Sequence, residues 1–245
     1  MISEKEIRMF LNKKGAISKE ILRKLLEELK KNKLSTSQVT GLITLFGQEQ
    51  FKEARKEVER YLDSTNALER YSALSTLVYE WGIQDIRRKI EKMSIDDHDE
   101  DVRGNAVSCL GSLLRGSNDK KALRLLLKVL KDKEEHWMVR SSAYSSILDI
   151  IGVPRQEQPG ALGSDYEKYV DWKLIKSIER EAIKKKSIQN INNQQSKVQG
   201  AETHFFESPR TNKGGASKNL QSYAESKGIK TIFDRIKSKL GGGKS

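Results

Sequence analysis

An acidic run that contains one histidine, Asp96–Asp101, is a cluster in this 245-residue chain whose residue types could bind a metal ion. A calcium loop between two helices needs glycine at its sixth position and a bidentate glutamate at its twelfth. With Asp97 as the first ligand, those positions hold Val102 and Ser108, which cannot supply the turn or the carboxylate. The remaining histidines stand alone, without zinc-ligand spacing. No metal site is therefore predicted, and the run is expected to cap the helix that follows it.

Two further features resemble parts of enzymes. Cys109 is the single cysteine, and it falls within an apolar helical pattern, which predicts a small buried side chain rather than a nucleophile. Gly241–Ser245 resembles the end of a phosphate-binding loop, but Ser238 occupies the position of the first required glycine. The sequence therefore predicts no catalytic residue and no cofactor, and the chain is expected not to be an enzyme.

The elements that carry these residues are predicted to be helices. The composition is 36% apolar and 33% charged with 3 prolines, and runs of Leu, Lys, Glu, Ala and Arg favour helix over sheet. A single cysteine excludes an internal disulfide framework and fits a reducing compartment. The N-terminus lacks a signal pattern, and no apolar run approaches the ~20 residues of a spanning helix. A cytoplasmic protein is the expectation.

The positive charge is concentrated in the C-terminal quarter. Residues 1–182 hold 33 Lys and Arg against 30 Asp and Glu, a balance of +3, out of a net charge of +12. Residues 183–245 hold 13 against 4, a balance of +9. The basic isoelectric point therefore does not by itself indicate a nucleic-acid-binding protein.

Three segments of the chain repeat an Arg-x-x-Ala pattern that ends in a glycine. The arginines are spaced by 33 and 37 residues, and a large aliphatic residue follows each alanine by four positions. A second helical pattern comes after each segment, so the unit is a helix, a turn and a helix with apolar faces that only a neighbouring unit can cover. The repeated positions are Arg70, Ala73, Leu77 and Gly82; Arg103, Ala106, Leu110 and Gly116; and Arg140, Ala143, Ile147 and Gly152.

The phrase Asp-x-Asp-Val-Arg-x-x-Ala-x-x-x-Leu at residues 99–110, repeated more weakly at 66–77 and 136–147, resembles the HEAT repeat. The resemblance covers roughly residues 34–185. It implies an all-α fold, a right-handed α-solenoid of helix pairs over residues 1–186, which binds proteins, or in some members nucleic acid, along its concave face. It also implies that the repeated arginines pair with acidic turn residues of neighbouring units and tie the stack together.

The resemblance places the second helix of each unit on the concave surface. Basic residues stand opposite the apolar stripes of two of these helices: Arg88, Lys92, Lys121, Arg124 and Lys128. Two interpretations remain open, an electrostatic contact surface for an acidic protein or for phosphates and an ordinary solvated helix face.

Two tryptophans lie near unit boundaries. Trp137 stands next to His136 ahead of a helix and is a candidate exposed binding anchor. Trp172 falls on the apolar stripe of the second helix of the third repeated unit, formed with Tyr169, Ile175 and Ile178, and is predicted to be part of the core.

The C-terminal segment divides into two predicted parts. Residues 187–228 are polar and of low complexity, which predicts a disordered linker. Residues 229–240 predict a basic amphipathic helix that could dock on a partner, lie on an anionic membrane surface or fold back on the solenoid. Its apolar contact residues would be Ile232, Phe233, Ile236 and Leu240.

The leading functional hypothesis is a protein-binding adaptor or inhibitor, with the basic C-terminal segment as a second contact. Small bacterial HEAT-like proteins include immunity proteins that neutralise a toxin, which is one form of this role. A nucleic-acid-binding protein that uses the basic row is the first alternative, and a HEAT-like enzyme such as a DNA glycosylase or a chromophore lyase is the second. The oligomeric state stays open.

Overall fold

A computed structural model of the protein describes residues 2–13, 15–160 and 162–182. Every regular element among these residues is a helix, which confirms the predicted all-α class. Contacts group the helices into one compact unit, Met1–Ser187. The predicted linker at 187–228 and the predicted amphipathic helix at 229–240, with Ile232, Phe233, Ile236 and Leu240, lie outside the described residues.

The described residues contain ten α-helices. Helix α5 continues into a π-helical turn, Thr76–Glu80, before its unit ends. The helices are α1 (Glu4–Leu11), α2 (Lys19–Lys30), α3 (Thr36–Gln48), α4 (Arg55–Arg60), α5 (Ala67–Ser75), α6 (Arg87–Asp96), α7 (Glu100–Leu113), α8 (Lys120–Lys131), α9 (Trp137–Ile150) and α10 (residues 172–182).

The acidic run before α7 caps that helix, as predicted. The Asp99 side chain accepts a hydrogen bond from the Val102 amide at 3.1 Å, and Asp97 accepts one from the Asp99 amide at 3.1 Å. These carboxylates satisfy amides that have no partner within the helix and lie at the positive end of its dipole. The acidic run therefore caps the N-terminus of α7.

The helices are arranged in two layers. Helices α1, α3, α5, α7 and α9 are the first helices of successive units and pack side by side, while α6 packs against α7 and α8 against α9. The helices α2, α4, α6 and α8 form the second-helix layer. The repeated aliphatic residues Leu77, Leu110 and Ile147 are fully buried between the layers, which confirms the α-solenoid architecture.

The predicted glycine follows the end of the first helix by two or three residues in each of the three repeated units, if the π-helical turn is counted with α5. Gly82, Gly116 and Gly152 have φ angles of +65°, +69° and +82°, a conformation that residues with a Cβ rarely adopt. The glycines therefore turn the chain from the first helix towards the second.

Helix α10 does not continue the second-helix layer in the predicted way. Lys131 near the end of α8 contacts Glu179 at 2.5 Å, while Arg124 in the middle of α8 donates a hydrogen bond to the Ala182 carbonyl at 3.1 Å. The order of these contacts shows that α10 runs opposite to α8, whereas second helices of regular units would run parallel. Helix α10 therefore departs from the arrangement of the regular second helices.

The prediction that Trp172 is part of the core is wrong. Trp172 begins α10 and keeps 37% of its surface exposed, while Ile175, Ile178 and Ala182 are buried. Ile175, Ile178 and Ala182 form the buried face of α10, whereas Tyr169, in the 3₁₀ turn Tyr166–Tyr169 ahead of the helix, is 55% exposed.

Candidate partner-binding surface

A ladder of ion pairs links the first helix of each unit to the acidic turn before the next unit. Arg70 donates to Asp97 at 2.6 and 2.8 Å, and also to the Ser64 and Thr65 carbonyls. The same arrangement recurs in the next two units, where Arg103 donates to Glu135 at 2.8 and 3.0 Å, and Arg140 donates to Glu167 at 2.7 Å. This first ladder confirms the structural role predicted for the three arginines.

The most buried pair of the first ladder is Arg70 with Asp97, whose side chains are 12% and 7% exposed. Burial by itself would raise the pKa of Asp97, but the hydrogen bonds from the Arg70 guanidinium and the Asp99 amide outweigh it and hold the pKa below the usual value. The pair is therefore charged at neutral pH and acts as a connection between units.

A second ladder, which was not predicted from the sequence, links successive second helices. Arg23 donates to Glu53 at 2.9 and 3.0 Å, and Arg55 donates to Asp85 at 2.6 and 2.7 Å. The third pair is Arg87 with Asp119, at 2.8 and 2.9 Å. The signal was present, because Arg23, Arg55 and Arg87 recur every 32 residues.

The Asp119 carboxylate has two roles, since it also accepts the Ala122 amide at 2.9 Å as the N-cap of α8. Hydrogen bonds from Arg87 lower the pKa of Asp119 more strongly than burial raises it. A lowered folded-state pKa stabilises the protein above the unfolded value of ~3.9, and this stability is lost as the pH falls through the folded-state pKa.

The substitution Asp119→Asn keeps an oxygen for the helix cap but removes the charge that pairs with Arg87. We expect it to lower the free energy of unfolding by about 1 kcal/mol at pH 7 and the difference from the wild type to shrink below about pH 4. Urea unfolding across this pH range would measure both effects. Asp119→Ala should cost about 1 kcal/mol more, because the cap is also lost; equal costs for the two variants would contradict the dual role.

The predicted basic row lies on the adjacent second helices α6 and α8, and its members differ in what they contact. Lys121 contacts Glu91 at 2.6 Å, and Arg124 donates to the Ala182 carbonyl. Arg88, Lys92 and Lys128 are exposed and have no ion-pair or hydrogen-bond partner among the described residues. We call these last three residues the basic surface.

One further residue extends the basic surface along the second-helix layer. Lys56 is exposed on α4, 32 residues before Arg88, and it has no ion-pair partner in the part of the chain that the structure describes. It follows Arg55 of the second ladder as Arg88 follows Arg87. The repeat therefore places a cation at the same position of two successive second helices.

Trp137 is 37% exposed, as the anchor hypothesis requires, and its ring lies 5.5 Å from that of His136. It begins α9, next to the Arg103–Glu135 pair of the first ladder. Trp137 therefore belongs to the first-helix layer, while the basic surface belongs to the second-helix layer.

Comparison with known proteins gives one match. A family model described as HEAT repeats matches residues 54–148, a segment that runs from the start of α4 nearly to the end of α9. No curated protein and no solved structure matches the chain. No helix among the described residues is long and apolar enough to cross a membrane.

Proposed function

We propose, from the match of residues 54–148 to the HEAT-repeat family model, that this chain is a non-catalytic binding protein that holds an acidic protein partner on its basic surface. HEAT repeats commonly mediate interactions between proteins. Such a protein acts as an adaptor if the partner stays active, or as an inhibitor, of which an immunity protein is one kind, if the partner is blocked.

The observation that carries the proposal is the contrast between cations with and without internal partners. Arginines of both ladders are held by carboxylates of the same chain, whereas Arg88, Lys92 and Lys128 have none among the described residues. Carboxylates of a partner would supply the missing counter-charges, which raises the association rate and fixes the orientation of the complex. The matched HEAT segment contains all three residues.

The test is capture from a lysate of the source cells, with the full chain and a charge-reversal variant, Arg88→Glu, Lys92→Glu and Lys128→Glu. A control variant carries the same charge change at exposed residues away from the basic surface: Lys5→Glu, Arg8→Glu and Lys33→Glu. We expect the wild type and the control variant to retain one protein. The retained amount should fall about tenfold with the charge-reversal variant, and it should not change after nuclease treatment. Quantitative mass spectrometry provides the measurement.

Two results would contradict the proposal. Equal retention by the charge-reversal and control variants would show that the basic surface does not contact the partner. Loss of the captured protein after nuclease treatment, with a steep fall of affinity as salt rises, would instead select the nucleic-acid alternative.

A further inference from the structure

A groove between α8 and α10 adjoins the basic surface and shares Lys128 with it. The groove has a volume of about 180 Å³, the space of roughly six water molecules at liquid density. That space accommodates one or two side chains of a ligand. The lining residues are Arg124, Leu127, Lys128, Lys131, Glu179 and Ala182.

Contacts within the chain hold both walls of the groove in place, but they do not neutralise its positive charge. Lys131 contacts Glu179 at 2.5 Å, and Arg124 donates one hydrogen bond to the Ala182 carbonyl at 3.1 Å. A guanidinium has five N–H donors, so that bond leaves Arg124 donors for a ligand. Lys128 has no partner among the described residues. Three cations thus face one carboxylate, which leaves an excess of positive charge.

The remaining lining is apolar. Leu127 and Ala182 form a small apolar floor of the groove, since they are only 5% and 2% exposed, and Leu127 lies on α8 between Arg124 and Lys128. A bare phosphate would satisfy only the cations, while a purely apolar side chain would leave Lys128 without a counter-charge. The ligand that complements the whole groove combines a carboxylate with a neighbouring apolar side chain.

We infer that this groove binds a short segment of the protein partner in which an acidic residue stands next to an apolar one. The carboxylate contacts Lys128 and the free donors of Arg124, and the apolar side chain packs against Leu127 and Ala182. This inference rests on the proposed function and adds to it the chemistry of the segment that the partner presents.

The test uses the purified full chain and fluorescent peptides that carry one Glu-Leu-Glu or Glu-Ser-Glu motif between Gly and Ser residues. Anisotropy titration should show that Glu-Leu-Glu binds about threefold more tightly, because only leucine buries apolar surface on the small apolar floor of the groove. Lys128→Glu should weaken that peptide about tenfold, whereas Lys133→Glu, an exposed residue beyond the end of α8, should leave its affinity within about twofold. Amide chemical shifts of Leu127 and Ala182 should move on titration.

Equal affinity of the two peptides, or equal effects of Lys128→Glu and Lys133→Glu, would overturn the groove assignment, as would a wild-type chain that binds neither peptide. If the pair Arg88→Glu and Lys92→Glu weakens peptide binding while Lys128→Glu does not, the peptide lies elsewhere on the basic surface. That result overturns the groove and leaves the proposed function standing. The proposed function itself is decided separately, by the capture experiment.

Discussion

Replacing Arg70 by methionine is expected to lower the free energy of unfolding by about 3 kcal/mol at pH 7. Removing one partner of a buried ion pair typically costs roughly 3–5 kcal/mol because the other charge stays buried without compensation. Asp97 would become that charge, with 7% of its side chain exposed, and the Ser64 and Thr65 carbonyls would each lose a donor. Methionine keeps much of the apolar part of the arginine side chain. The loss in free energy of unfolding therefore measures the contribution of the guanidinium group.

The control is the pair with similar bidentate geometry but without burial. Arg23 and Glu53 lie at 2.9 and 3.0 Å, yet their side chains are 59% and 46% exposed. Exposed pairs contribute roughly 0–1 kcal/mol, so Arg23→Met should cost less than about 1 kcal/mol. Urea unfolding measures the free energy of unfolding of both variants. Equal losses for the two variants would show that burial of the Arg70–Asp97 pair does not increase its contribution to stability.

The pH dependence gives the prediction on Arg70 a second test. In the wild type, the lowered pKa of Asp97 stabilises the protein above the unfolded value of ~3.9, and that stability is lost as the pH falls through the folded-state pKa. Without Arg70, burial would instead favour the neutral form of the Asp97 carboxyl. Protonation of Asp97 at low pH would therefore remove part of the destabilisation of the Arg70→Met variant. The difference in unfolding free energy between wild type and Arg70→Met should therefore begin to narrow above about pH 4, as Asp97 of the variant is protonated, and continue to narrow as the pH falls through the lowered wild-type pKa.

The repeat could be predicted from sequence because it depends on local patterns: an alanine, an aliphatic residue and a glycine recur at fixed offsets, and each has a physical reason within one unit. The pairing of Arg70, Arg103 and Arg140 with acidic turns joins different units, and it was implied by the resemblance to the HEAT repeat. The helix pairs and the turns at Gly82, Gly116 and Gly152 follow from these offsets, as the φ angles confirm.

The 32-residue spacing of Arg23, Arg55 and Arg87 can be read from the sequence, but the partners of these arginines and the direction of α10 could not be derived from local patterns. Arg87 reaches Asp119 only because the next unit brings that turn within 3 Å, and the sequence fixes no distance between units. The long connection after Gly152 removes the constraint that keeps regular second helices parallel. Apolar periodicity then predicts which face of α10 is buried, but it does not predict the direction in which the helix crosses its neighbour.

At the candidate site, too, the sequence does not show which charged residues contact residues of other units. All five members of the basic row are exposed, as expected for that face of the helices. Which of them is free depends on distant residues, since Lys121 is held by Glu91 and Arg124 by the Ala182 carbonyl, 58 residues away. Sequence spacing identifies a basic face, and only the packing of units shows which charges remain for a partner.

The same alanine substitution at two glycines of α7 is expected to have opposite effects on stability. A Cβ at Gly111 would lie 2.6 Å from the Ser146 Cβ and 2.8 Å from its Cα, so α7 and α9 would have to separate. A Cβ at Gly104 would meet only ordinary contacts, at 3.9 Å from Ser142 and Val139. Overpacking typically costs about 1–3 kcal/mol, while glycine to alanine in a helix gains up to about 1 kcal/mol.

We therefore expect Gly111→Ala to lower the free energy of unfolding by about 2 kcal/mol and Gly104→Ala to raise it by up to about 1 kcal/mol. The loss at Gly111 should include the hydrogen bond that the Ser146 hydroxyl donates to the Val107 carbonyl at 3.0 Å, because that bond needs the two helices in close contact. Urea unfolding of the two variants at one pH makes the comparison. A stabilised Gly111→Ala would show that helix propensity, rather than the close approach of first helices, controls the stability of this stack.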